Sequence, residues 1–194
     1  MKTNEEKARL LAAFAIILSC LAFVLYNWKN IRGETHPNVS SWFVWSFMTI
    51  LNFTSYKKLT GDWIKSTLPT VESGLCIATA LMALHTGSFQ NLSLADYECL
   101  MIGLIAALIW YLFKSAGSAQ ILLQIALVIG FIPTGIGMME NPSNEPWLPW
   151  CLWTVVFSAQ CGVVKLTWRG RWIDFLYPVN AMFWHGLVFV LALM

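Results

Sequence analysis

Four tryptophans and two carboxamides carry the chemistry this chain can do. Trp42 with Trp45, and Trp150 with Trp153, each form a Trp-x-x-Trp pair near the start of an apolar run. On a helix, positions i, i+3, i+7 and i+10 share a face. That face reads Trp42, Trp45, Thr49, Asn52, Tyr56 in one run and Trp150, Trp153, Phe157, Gln160, Val164 in the other. Each run therefore offers two indoles and, about two turns further in, an amide. An unpaired amide in hydrocarbon is strongly disfavoured, so Asn52 and Gln160 must face protein or water. Two such faces turned together would make a cavity with aromatic walls and amide hydrogen-bonding groups. That suits a neutral polar ligand with flat or ring-shaped apolar faces, such as a sugar or a nucleoside. The same residues also have plainer uses. Tryptophans near helix ends form interfacial belts, the first reading for Trp63, Trp168 and Trp172 and an open one for Trp147 and Trp150. Amides also join helices to one another.

Glu72 is the one acid inside an apolar run away from a capping position, which makes it the candidate for proton coupling. Its closeness to Lys65 leaves open a headgroup position, or pairing with Lys57 or Lys58. Asn180, two residues after Pro178, is the corresponding polar position in the last run and joins the candidate lining. His185, deeper in that run, reads first as a packing residue, and His36 and His85 fall in turns. Pro69, Pro133 and Pro178 each remove a backbone hydrogen bond and are the candidate hinges. The five cysteines lie in or at the ends of apolar runs, without CxxC or Cys/His spacing. No metal site, disulfide framework or cofactor is indicated. There is no Walker loop, no paired catalytic carboxylates, no HExxH and no GxSxG, so nothing points to an enzyme.

Positioning these residues is a task for helices in lipid. Of the 194 residues, 58% are hydrophobic and only 11% charged. A soluble domain carries about 25% charged residues, so too little polar surface exists here to cover a globule in water. A net charge of +2 gives no reason to expect nucleic acid. A spanning helix needs roughly 20 mostly apolar residues. Runs at 10–26, 39–56, 67–84, 93–113, 119–139, 147–164 and 175–194 meet that need. The first is not read as a signal peptide, because Glu5 and Glu6 precede it and no small-x-small site follows. Ser93 with Asp96 reads as a capping box for the fourth, with Asp96 and Glu98 favoured in its first turn.

The chain also repeats itself. Trp42, Trp45 and Lys57 map to Trp150, Trp153 and Lys165 at one constant offset. Gly61, Trp63, Ile64 and Pro69 map to Gly170, Trp172, Ile173 and Pro178 after a one-residue insertion. Such self-similarity indicates an internal duplication. The expected fold is therefore an all-α membrane protein of seven transmembrane helices. Two parallel three-helix repeats, at 1–88 and 118–194, flank a linker helix at 89–117. A monomer then suffices, and a homo-oligomer is not excluded. Lysine and arginine placement sets the orientation. The N-terminal tail and every second loop hold Lys2, Lys7, Arg9, Lys57, Lys58, Lys65, Lys114, Lys165, Arg169 and Arg171; the other side has only Lys29 and Arg32. This places the N-terminus in the cytoplasm and the C-terminus outside, in a cell or inner membrane.

In this architecture the chain resembles the SWEET / PQ-loop (MtN3/saliva) superfamily of small transporters. The likeness in residues lies in Pro37-Asn38, Pro69, Pro133, Pro178 and the Trp and Asn positions, whereas a Pro-Gln dipeptide is absent. Trp150-x-x-Trp153 is also similar to the nicotinamide-riboside transporters of the PnuC type. Either resemblance implies a facilitator that works without ATP on a small solute, held between the repeats. SWEET carriers imply a sugar and an N-terminus outside; the PnuC type implies a nucleoside or vitamin. A non-transporting membrane receptor or partner subunit on the same fold is the reading from another class.

Overall fold

The computed structural model describes residues 3–35, 39–86, 94–140, 142 and 145–194. The described secondary structure is entirely helical: α1 (Asn4–Ile31), α2 (Val39–Thr60), α3 (Trp63–His85), α4 (Leu94–Phe113), α5 (Ala116–Glu140), α6 (Trp147–Leu166) and α7 (Leu176–Leu191), with a 3-10 turn (Trp172–Phe175) leading into α7. His36, Pro37 and Ser93 lie outside the described residues, as do the side chains of Asp96 and Pro133.

Two helices begin earlier than the apolar runs because polar residues cap them. The Thr3 side chain accepts from the Glu6 amide at 3.2 Å, and the Glu6 carboxylate accepts from the Thr3 amide at 2.8 Å. This capping box starts α1 six residues ahead of Leu10. Asp62 accepts from the Ile64 amide at 2.9 Å and starts α3 ahead of Thr67.

Among the described residues, five elements are long and apolar enough to cross a membrane: α1, α3, α5, α6 and the stretch Trp172–Leu191. This is compatible with an integral membrane protein. The sequence alone suggested seven; α2 falls short, and α4 is described only in part. In α2 the reason is polar content, satisfied on the helix's own carbonyls and across to α5. Ser46 Oγ donates to the Trp42 carbonyl at 2.7 Å, Thr54 Oγ1 to Ile50 at 2.9 Å, and Ser55 Oγ to Gln120 at 2.6 Å. In α4 the apolar helix found is Leu100–Ile109.

Polar groups turn inward and apolar ones outward. Asn52, Lys65, Glu72, Gln120, Gln160 and Asp174 are buried, while Ile17, Val24, Leu108 and Tyr111 are exposed. A bilayer favours this distribution. Helix α3 packs against α1 and α2, and α7 against α5 and α6. Helix α1 lies on α6, α2 on α5, and α4 on α5 and α2. The α1–α6 contact is close because Gly162 has no side chain; a Cβ there would meet Leu11 Cδ2 at 2.7 Å. Gly61 precedes α3 and Gly170 the 3-10 turn that leads into α7, with φ of +62° and +82°, a backbone only glycine adopts without strain.

Candidate functional site

The helices enclose one aromatic cavity. Its wall brings together Phe23 of α1, Trp42 and Trp45 of α2, Phe131 of α5, and Trp153 and Phe157 of α6. The rings pack on one another, Phe23 and Trp153 edge-on at 4.9 Å, and Trp45 with Phe131 at 4.8 Å and Trp42 with Trp45 at 5.5 Å in tilted pairs. The hollow is about 60 Å³. That admits a few waters, well short of the roughly 300 Å³ at which ligand pockets begin.

Two polar atoms in this wall are unsatisfied. The indole N–H groups of Trp45 and Trp153 are buried and have no hydrogen-bond partner. These are the corresponding residues of the two Trp-x-x-Trp pairs.

Below the indoles lies an amide network. Asn52 Oδ1 accepts from Gln120 Nε2 at 2.8 Å and from Gln124 Nε2 at 2.9 Å. Gln124 Oε1 accepts from Asn180 Nδ2 at 2.9 Å. The chain α2–α5–α7 is thus tied by amides, and Asn52 and Asn180 both reach the cavity. Asn52 thereby joins helices and lines the hollow at once.

Glu72 also lines the cavity. Its carboxylate accepts from Ser19 of α1 at 3.2 Å and from Tyr177 of α7 at 2.7 Å. No lysine or arginine pairs with it among the described residues. Lys65 goes to Asp174, and Lys57 lies over the Trp63 ring at 3.6 Å. The pairing with Lys57 or Lys58 is corrected by these contacts. His185, read from the sequence as a packing residue, packs on aromatic rings and also lines the cavity. It stands in the wall among Phe157, Phe131 and Trp150, with centroids at 4.7, 5.1 and 5.3 Å. Its Nδ1 donates to the Ala181 carbonyl at 2.7 Å, which leaves Nε2 as an acceptor in the neutral ring.

Each end of the bundle carries its own polar cluster. At the end holding the N-terminus, Lys65 Nζ meets Asp174 at 2.7 Å, both side chains 0% exposed. Arg171 joins the same carboxylate at 3.1 Å. At the other end Glu145 accepts from Trp150 Nε1 at 2.9 Å and from Tyr26 at 3.4 Å. Burial pushes the Glu145 carboxyl up from 4.5 to about 7. The folded protein therefore holds this proton more tightly than the unfolded chain. The stability it contributes is full below about pH 4.5 and declines as the pH rises towards 7. Glu145→Gln is expected to flatten the fall of melting temperature across that window, and equal slopes in variant and parent would refute the assignment.

The prolines explain two further contacts. Pro69 offers no amide to the Lys65 carbonyl four residues back, and Gln160 Nε2 supplies the donor at 2.6 Å. Pro178 likewise leaves the Asp174 carbonyl, which Tyr56 satisfies at 2.7 Å. This is why Gln160, expected in the lining, is turned away from the cavity. Trp150 is also absent from the lining, because its N–H is spent on Glu145. Trp63, Trp147, Trp168 and Trp172 are exposed, the placement an interfacial belt requires. Of the residues expected to bind, Trp42, Trp45, Asn52, Trp153 and Asn180 come together around Glu72. Gln120, Gln124 and Tyr177 were missed. The signal for the two glutamines was their spacing of four in an apolar run, which puts both on one face. No family model, no curated protein and no solved structure matches this chain.

Proposed function

We propose that this chain is a membrane transporter for a small neutral polar solute, such as a sugar, working by alternating access between two three-helix repeats. A nucleoside or vitamin of the kind carried by PnuC-type proteins is the alternative within that class. The repeats are α1–α3 and α5–α7, α4 is the linker, and the N-terminus is cytoplasmic. Helix packing supports this. Exchanging α1, α2, α3 for α5, α6, α7 turns the contact α1–α6 into α5–α2, α1–α3 into α5–α7, and α2–α3 into α6–α7, all of which occur.

One observation carries the solute-binding reading: the equivalent indoles of Trp45 and Trp153 line a polar-floored hollow, and each carries a buried N–H without a hydrogen-bond partner. A buried donor without a partner costs about 1–3 kcal/mol. A solute bearing hydroxyl or carbonyl oxygens removes that cost while its apolar face lies on the rings. The volume of about 60 Å³ then belongs to a contracted form, which must widen to load. The Lys65–Asp174 pair ties the halves at the cytoplasmic end, and Pro69 and Pro178, with Pro133 in α5, are the proposed hinges. Glu72, acidic and without a cation, is the proposed proton-coupling group.

Uptake into proteoliposomes tests this. Saturable uptake of a sugar or nucleoside is expected, faster with an inward proton gradient, and Glu72→Gln is expected to remove the gradient's effect. Equal uptake with and without the gradient would sink the coupling. The small hollow favours a second reading, a receptor or partner subunit that does not transport. Absence of flux for sugars, nucleosides and amino acids would select it.

A further inference from the structure

A second hollow faces the other way. Between α5 and α7 a groove of about 560 Å³ opens away from the bundle, lined by Ile121, Ile125 and Val128 on one side and Val179 and Phe183 on the other. Both walls belong to elements apolar enough to cross a membrane, so acyl chains surround the opening. From Ile121 to Val128 a helix rises about 10 Å, and from Leu176 to Phe183 about 10 Å again, with the 3-10 turn extending the second wall. One leaflet of a hydrocarbon core is about 15 Å deep. The groove therefore suits a chain that enters from one surface and stops near the midplane.

That surface is the basic one. Trp172, exposed at the groove's end, marks the headgroup level. Arg171 beside it is half-exposed, and Arg169 and Lys165 are exposed. The nearby acids are turned inward: Asp174 is buried on Lys65, and Asp62 is buried beneath Arg169 at 3.6 Å. Glu5 and Glu6 ride on α1, which packs on α3 and α6. Among the described residues no charged side chain lines the groove itself; the cations next to Trp172 in the chain are Arg171, which also holds Asp174 at 3.1 Å and the Thr60 carbonyl at 3.3 Å, and the more exposed Arg169.

We propose that this groove binds one anionic phospholipid, its acyl chain between α5 and α7 and its phosphate at Arg169 and Arg171. The floor beneath the chain is the hydrogen-bonded pair of Asn180 and Gln124, and Asn180 also lines the central cavity. The lipid would cover a partition one side chain thick, sealing the cavity laterally.

The test is native mass spectrometry of the detergent-purified protein with phosphatidylglycerol or phosphatidylcholine of identical chains. Retention of phosphatidylglycerol is expected to be on the order of tenfold higher. Arg169→Gln is expected to lower it about fivefold without changing phosphatidylcholine. Val179→Trp and Ile125→Trp fill the groove from opposite walls, and each is expected to abolish the preference. The melting transition confirms folding, so either filled variant suffices if the other fails to fold. Equal retention of the two lipids, or a preference that survives the filled groove, would overturn the proposal.

Discussion

Asp174→Ala is expected to destabilise the protein by about 3–5 kcal/mol, a large share of the 5–15 kcal/mol that folded domains possess. The side chains of Lys65 and Asp174 are 0% exposed and 2.7 Å apart. Removing the acid leaves an ammonium with no water and no partner, and takes the carboxylate from Arg171 as well. The backbone carbonyl of residue 174 stays bonded to Tyr56, so the loss reports the charge rather than the hinge. The double variant Lys65→Met with Asp174→Leu is expected to recover most of the stability, since buried pairs are often replaceable by apolar residues of similar size. Denaturant or thermal unfolding in detergent reads both. A single variant losing less than about 1 kcal/mol would mean a hydrated pair and an unsealed end.

Trp153→Phe and Trp45→Phe separate binding from packing. Each keeps an aromatic ring in the wall and deletes an N–H that has no partner in the protein. For the solute-free protein the loss of contact area is offset by removing a buried unsatisfied donor, so the melting temperature is expected to move little. On the proposed function, the same change removes a hydrogen bond to the solute formed out of water. Half-saturation for uptake is expected to rise about 10- to 100-fold, equivalent to 1.4–2.7 kcal/mol. The opposed readouts make the test sharp. A variant that melts lower and transports normally would return these tryptophans to the core. Trp150→Phe supplies the contrast: its N–H is bonded to Glu145, so the change is expected to cost stability and leave half-saturation near the parent value.

Much of the site was legible because its signals are local. The helical spacing of Trp42, Trp45 and Asn52 fixes them to one face whatever packs against it. Glu72 stands out because an acid inside an apolar run has few places to go. Lys65 was legible only as a basic loop residue, yet α3 begins at Trp63 and carries it inside. Asp174 lies near Arg171 in sequence and gave no hint of a partner on another helix. His185 read as a packing residue, and only the convergence of α5, α6 and α7 places it in the cavity wall.

The amino-acid order by itself determined an apolar, helical chain with aromatic and amide faces at fixed spacings, because hydropathy and periodicity act within a single helix. Only the tertiary structure decided which groups meet. It sent Gln160 and Tyr56 to the carbonyls freed by Pro69 and Pro178, turned Trp150 to Glu145, and left the indoles of Trp45 and Trp153 facing the hollow without a partner. The reason is that a buried polar atom takes the donor or acceptor that packing brings within reach, and that partner comes from a helix distant in the sequence.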